Sequence, residues 1–421
     1  MGAPHHLVLL VHRCGGVTVQ SRVDGWGRED SNLRRLSRRV YSPFPLAARA
    51  HPRGADCSLL PVKNYDVLVV GGGPAGSTAA IRLADGGARV LLVDKATFPR
   101  DKPYGGGITT RALAHCPVDP SPVVEEQVDL VELRFRFGDA VVREARSPVI
   151  SMTQRRRLDA FLLDAARERG VEVREGTTID AAAAPADYVI GADGANGTTA
   201  KAFGLGGGIV HGVAYEGNVA YGVVQRDRYA RRAVVELADI PGGYGWVFPK
   251  GDHVNVGVGA WQGEGPRIRD HLARVCKAHD LDPAQLGSLR GHRLPLRRSA
   301  TRLAGERALL VGDAAGLIDP VSGDGMYECF ISSRLAAEAI LAGRLAEYPA
   351  ALDASVGRLH SASWKLKQAL DRWPRTSWRV ARTQLLWRSV ERLLLGDVAA
   401  PADVHGMARV PLRVLDTLAR F

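Results

Sequence analysis

The chain is poor in cysteine: Cys14, Cys57, Cys116, Cys276 and Cys329 are scattered over 421 residues, and none belongs to a Cys-x-x-Cys pair. That spacing speaks against zinc, an iron–sulfur cluster or a disulfide framework, and it suits a reducing cytosol. Long apolar runs are missing as well. No stretch approaches the ~20 residues needed to span a bilayer, and Leu7 to Val11 is too short for the apolar part of a signal peptide. His211 and His253 stand without ligand-type neighbours, so no metal is expected. Acidic residues run short only at the two ends: residues 1–61 carry a net charge of +5 and residues 354–421 one of +7, which leaves 62–353 at −1. A basic chain often points to nucleic acid, but the central body is near neutral and holds no nucleic-acid motif, so that partner is set aside.

Glycine is plentiful, 47 residues, and it gathers at three stations. The first, Gly71-Gly72-Gly73-Pro74-Ala75-Gly76, follows the apolar run Tyr65 to Val70 and opens an Ala-rich helix. Gly71 permits a tight turn, Gly73 lets a pyrophosphate approach the backbone, and Gly76 lets helix and strand pack closely. The helix start adds unpaired N–H groups for the anion. A second strand, Arg89 to Val93, ends in Asp94, 23 residues past Gly71, where a dinucleotide site needs a carboxylate for a ribose hydroxyl.

The second station is Gly191-Ala192-Asp193-Gly194, fed by Tyr188-Val189-Ile190. The third, Gly312-Asp313-Ala314-Ala315-Gly316, follows Ala308 to Val311 and distinguishes FAD from NAD. Asp313 at a strand's carboxyl end suits the ribityl hydroxyls of FAD. Gly325-Met326 opens a further helix whose N-terminal amides suit the flavin N1 edge. Gly204-Leu205-Gly206-Gly207-Gly208 follows a helix and fails as a second fingerprint, so NAD(P)H or another reductant is expected to bind only transiently.

Over residues 65–342 the chain resembles the geranylgeranyl reductase family of FAD-dependent oxidoreductases, within the flavoprotein hydroxylase and halogenase superfamily. The resemblance rests on the glycine stations, on Phe98-Pro99-Arg100-Asp101-Lys102-Pro103-Tyr104-Gly105-Gly106-Gly107, and on Pro241-Gly242-Gly243-Tyr244-Gly245-Trp246-Val247-Phe248-Pro249 followed by Val256-Gly257-Val258-Gly259. It implies an α/β fold in which an FAD-binding Rossmann-type domain interleaves with a β-sheet substrate domain and a C-terminal helical region. The FAD segments fall at about 62–115, 150–208 and 300–345, and the substrate sheet at about 116–149 and 209–299. Tyr104 stands where many relatives carry Cys, and the segment Thr177 to Ala186 is shorter than the family's β-meander.

The resemblance also implies a chemistry, saturation of isolated C=C bonds of an isoprenoid or prenyl-lipid chain by hydride from reduced flavin. The alternative is an FAD-dependent monooxygenase or halogenase. Class A hydroxylases, however, usually place His at the position of Gly316, and halogenases carry a different Trp-containing strand where this chain has Tyr244 to Pro249. Cofactor contacts are expected from Gly71, Gly73, Ala75, Gly76, Asp94, Lys95, Arg100, Gly105, Gly106, Arg155, Asp193, Gly312, Asp313, Gly325 and Met326. Tyr104, Tyr244 and Trp246 are the expected catalytic residues. Tyr244, Trp246 and Phe248 alternate along a strand, so they share one face and suit a prenyl channel.

Residues 1–61 lack periodicity and read as an unfolded extension, either from a misassigned start or as an Arg-rich transit peptide. Residues 354–421 mix Trp364, Trp373, Trp378 and Trp387 with arginines and lysines. This pattern fits either an interfacial membrane face or a helical lid packed on the body. A cytoplasmic protein, peripheral at the inner face of the membrane, is the resulting expectation. Oligomeric state is not legible.

Overall fold

A computed structural model describes residues 12–14, 17–19, 65–298 and 301–420. Two units are present, Met1–Ala55 and Asp56–Phe421. In the first, the antiparallel pair His12–Cys14 and Val17–Val19 is described. The expectation of an unfolded extension over 1–61 otherwise lies outside the described residues.

The second unit is built on a five-stranded parallel sheet. Its spatial order is Glu172–Arg174, Val90–Val93, Tyr65–Val70, Ala186–Gly191, Ala308–Leu310. Residues 67–70, Val90–Val93 and Ala308–Leu310 read as apolar runs because both faces of the inner sheet are covered, and Val67, Leu68, Val69, Leu92, Val189, Ile190 and Leu309 are fully buried, whereas the edge strand Glu172–Arg174 is polar. The helix Pro74–Asp85 packs against both Arg155–Glu168 and Met326–Leu341. Chain order reverses beside Tyr65–Val70, and such a switch point opens a crevice at the strands' carboxyl ends. All three glycine stations leave strands there. Between Arg174 and Ala186 the described residues form no strand, in keeping with the shortened connection.

A seven-stranded sheet carries the other half. Its order is Gly287–Leu296, Val210–Ala220, His253–Trp261, Tyr244–Pro249, Arg232–Leu237, Leu130–Phe135, Ala140–Glu144, antiparallel except between Arg232–Leu237 and Leu130–Phe135. The period-two pattern splits it into two faces. Val247, Val254, Val256 and Val258 pack on the helix Ile268–Ala278, whereas Tyr244, Trp246 and Phe248 turn the opposite way.

Four helices follow: Tyr348–Arg372, Pro374–Ala381, Gln384–Leu395 and Arg409–Leu418. Most of their tryptophans pack inward. Trp387 joins Val131, Ala145 and Val149 in one apolar cluster, and Trp378 stacks on Phe135 at 5.5 Å. Trp364 stacks on Trp261, and Trp373 alone of the four is exposed. No helix among the described residues is long and apolar enough to cross a membrane.

Candidate active site

The three glycines of the fingerprint do different work. Gly71 has φ +108°, and a Cβ on it would lie 2.4 Å from the Ala192 carbonyl oxygen, so the first and second stations touch. A Cβ on Gly76 would fall 1.8 Å from the Gly71 oxygen. Gly73 keeps an ordinary φ of −75°. A Cβ there would meet only the Nη2 atoms of Arg100 and Arg155, each 3.5 Å away. The glycine therefore leaves open a space that two guanidinium groups face.

Arg155 opens the helix Arg155–Glu168 and holds Asp159, one turn on, through Nε–H···Oδ1 at 2.6 Å and Nη2–H···Oδ2 at 2.8 Å. Arg100 reaches the same carboxylate at 3.2 Å. Asp159 is fully buried between the two guanidinium groups, and Arg100 also stands 4.0 Å from Asp94 Oδ2, so both arginines are held in place with their Nη2 groups facing the open side of Gly73. The helix Pro74–Asp85 begins there with no side-chain cap. The diphosphate of FAD fits this cradle.

Asp94 ends its strand as expected. Its Oδ2 accepts the Gly72 N–H at 2.7 Å and its Oδ1 the Ala96 N–H at 2.8 Å, leaving lone pairs for a ribose hydroxyl. Lys95 beside it is exposed. Asp193 does local work: its Oδ2 accepts from the Thr198 and Thr199 N–H groups, at 2.7 and 2.9 Å, and from the Thr199 hydroxyl. It thus shapes the second station.

Gly312, at φ +55°, brings the third station against the first, since a Cβ on it would sit 2.9 Å from that of Ala75. Asp313 then lies within 3.5 Å of His292 and 4.0 Å of Lys102. Burial opposes its ionisation, but His292, Lys102 and Arg155 outweigh it and hold the carboxyl down to about 2. Gly325 stands against Asp313 Oδ1, and the buried Met326 begins the next helix, its N–H donating to Asp324 Oδ1 at 2.9 Å. An ionised acceptor and a helix N-terminus thus meet at one place, as a ribityl chain and the flavin N1 edge require.

The loop Tyr104-Gly105-Gly106 lies over the aromatic row. Its Tyr104 N–H donates to Glu216 Oε1 at 2.7 Å, and Lys250 Nζ donates to the Tyr104 carbonyl at 2.8 Å. Burial pushes the Glu216 carboxyl up and the Lys250 ammonium down. The Tyr104 hydroxyl donates to the Gly107 carbonyl at 2.5 Å, and burial raises its pKa well above the usual value. Tyr104 is therefore placed as a support for the loop. A Cβ on Gly105 would touch the Phe248 ring at 3.3 Å, and one on Gly106 would lie 2.5 Å from Lys250 Cε.

The three rings of the row stand 5.9 Å (Tyr244–Trp246) and 6.2 Å (Trp246–Phe248) apart. Trp246 donates its Nε1–H to Asn255 Oδ1 at 2.7 Å and covers Gly257, where a Cβ would lie 2.1 Å from the indole. The Tyr244 hydroxyl donates to the Ser322 carbonyl, which ties the row to the loop after the third station. Asp159 was within reach of sequence reasoning as an i, i+4 partner of Arg155. Glu216, Lys250, His292 and Asn255 left no such signal.

The model of the FAD-dependent oxidoreductase family matches residues 66–197. Chloroplastic geranylgeranyl diphosphate reductase of Nicotiana tabacum is 30% identical over 349 residues, covering 75% of this chain and 72% of that protein. The chain belongs to the geranylgeranyl reductase family. As a member it is an FAD-dependent oxidoreductase. Menaquinone reductase of Mycolicibacterium smegmatis is 29% identical over 389 residues, 82% of this chain and 94% of the relative. Among solved structures, a geranylgeranyl bacteriochlorophyll reductase-like protein of Thermoplasma acidophilum superposes with a TM-score of 0.69 at 22% identity, covering 84% of this chain and 99% of that one. A flavin-dependent brominase superposes at 0.66 with 19% identity, over 85% of this chain and 99% of the other. This reductase fold is thus shared with halogenases, and chemistry has to be argued from the site.

Proposed function

We propose that this geranylgeranyl reductase family member saturates isolated C=C bonds of an isoprenoid chain. The observation that carries the reading is the row Phe248–Trp246–Tyr244, which forms an aromatic wall against the Gly105 loop, beside the cradle that fits FAD. Bound and reduced, FAD supplies hydride. An isolated alkene has no carbonyl to polarise, so the protein contributes orientation and exclusion of water. A rigid wall supports this: the indole of Trp246 is held by Asn255 and backed by Gly257, and Tyr244 is anchored to Ser322.

The electron donor in this reading is NAD(P)H or another transient reductant. A prenyl substrate resides in lipid, so the protein works from the cytoplasmic side as a peripheral membrane protein through residues 354–421. Met407, Val410 and Val414, exposed at 73%, 51% and 40%, lie beside Arg413 and support that contact.

The test is anaerobic reoxidation. FAD-loaded protein is reduced with a stoichiometric amount of dithionite under argon and mixed with geranylgeranyl diphosphate, whose reducible groups are its alkenes. Return of the oxidised flavin spectrum, with a product heavier by two hydrogens, is expected. A flavin that reoxidises only with oxygen, giving a hydroxylated or halogenated product, overturns the reading in favour of the monooxygenase or halogenase.

A further inference from the structure

The aromatic row does not stop at Tyr244. In the register of the substrate sheet Trp246 faces Gly257 and Tyr244 faces Gly259 across the ladder, so Trp261, two residues on, shares their face. The turn that leads into Tyr244 makes room for it: Gly242, at φ +65°, passes so close that a Cβ would lie 1.9 Å from the Trp261 ring. Gly212, opposite Trp261 on the next strand, keeps the neighbouring surface shallow.

Beyond Trp261 the row crosses into the C-terminal region. Trp364, on the helix Tyr348–Arg372, stacks on Trp261 with centroids 6.1 Å apart and planes 10° from parallel. Each ring of the pair also carries a cation over it. Arg298 lies 4.0 Å over Trp364, and Lys367 lies 4.8 Å over Trp261. Asp371 then fixes both Lys367, at 2.5 Å, and the Trp261 N–H, at 3.2 Å. Each cation over an indole adds stability, and the pair cannot shift without losing several contacts at once.

A flexible polyprenyl chain needs such a stop. Its double bonds repeat along the chain, and nothing in an apolar wall alone selects which one meets the reacting centre. We propose that the Trp261–Trp364 pair is the outer end of the prenyl channel and sets the register of the chain, so that Trp364, on the C-terminal helix, is a positioning residue for which double bond is reduced. This rests on the isoprenoid reading above.

The experiment compares products of the wild-type, Trp364→Leu and Trp364→Phe proteins with geranylgeranyl diphosphate, separated by the number and position of remaining double bonds. Leu stays apolar but is smaller and removes the stack; Phe keeps a ring. Trp364→Leu is expected to change the ratio of partly to fully reduced product about three- to tenfold, the scale of one aromatic contact, and Trp364→Phe to restore it largely. FAD content and melting midpoint serve as controls for folding, since loss of a structural brace lowers turnover without altering the ratio. An unchanged ratio in Trp364→Leu, whatever its turnover, overturns the inference alone. A wild type that reduces no isoprenoid overturns the functional reading and the inference with it.

Discussion

Arg155 grips Asp159 with two hydrogen bonds, 2.6 and 2.8 Å long, one helical turn apart on a buried face. The pair matters because it fixes the plane of a guanidinium beside Gly73, and because Arg100 shares the same carboxylate. Asp159 is thus the hub of the anion cradle, although no ligand is expected to touch it.

Asp159→Asn keeps shape and removes the charge. Breaking one partner of a buried ion pair costs about 3–5 kcal/mol. The diphosphate of FAD restores part of the missing negative charge, so the expected loss of melting temperature is larger in the apoprotein than with excess FAD. Equal losses in both states, measured by thermal melts with and without the cofactor, would show that the guanidinium pair does not face the diphosphate.

Gly73 and Gly76 separate binding from folding. Gly73→Val places its side chain in the space before Arg100 and Arg155 without meeting protein atoms closer than 3.5 Å at Cβ. It is expected to fold normally and purify without yellow colour. Gly76→Val drives a Cβ to 1.8 Å from the Gly71 oxygen and is expected to fail in folding itself. A yellow Gly73→Val protein contradicts the cradle assignment.

How much of this was legible in sequence depends on the range of the interaction. Gly71, Gly73 and Gly76 report on a turn only six residues long, so local steric rules suffice, and the same holds for Asp94 at a strand end. The aromatic row followed from a period of two. Glu216 and Lys250 hold the N–H and the carbonyl of one residue, Tyr104, from positions more than a hundred residues away, and only the assembled sheet brings them there. The Val-Gly-Val-Gly segment was visible, yet the use of Gly257 as a seat for Trp246 depends on strand register. In the C-terminal helices the alternation of Trp with Arg suits a lipid face and a packed lid equally, and burial of Trp378 and Trp387 was decided by the apolar surface of Leu130–Phe135 and its neighbours.

Asp324 gives a pH signature. Burial and the nearby Glu328 push its carboxyl up to about 7, whereas an unfolded Asp titrates near 3.9. The folded protein therefore holds a proton that the unfolded chain has lost, and stability falls as pH rises from about 4 to about 7, then levels. Asp324→Asn retains an acceptor for the Met326 N–H and has no charge to bury. Its melting temperature should match the wild type near pH 4 and exceed it above pH 7. A difference that does not vary with pH contradicts the assignment.

The membrane contact can be tested by separating its two components. Trp364, Trp378 and Trp387 are engaged in packing, so the apolar part falls to the exposed Val410 and Val414 of the helix Arg409–Leu418 and to Met407 in the turn before it. Arg375, Arg379 and Arg413 are exposed and supply charge. Each cation near anionic lipid contributes about 1 kcal/mol, and the attraction fades within a Debye length, so binding has to weaken with salt. Sedimentation with anionic vesicles is expected at low salt and expected to drop at high salt. Arg375→Glu with Arg379→Glu should lower binding at low salt and flatten that drop, because less screened attraction is left, and Val410→Ser with Val414→Ser should lower binding at every salt concentration, because apolar insertion is not screened. If the wild-type protein stays in the supernatant at low salt, the C-terminal helices serve only as a lid on the substrate sheet, and the prenyl chain has to reach the channel by another route.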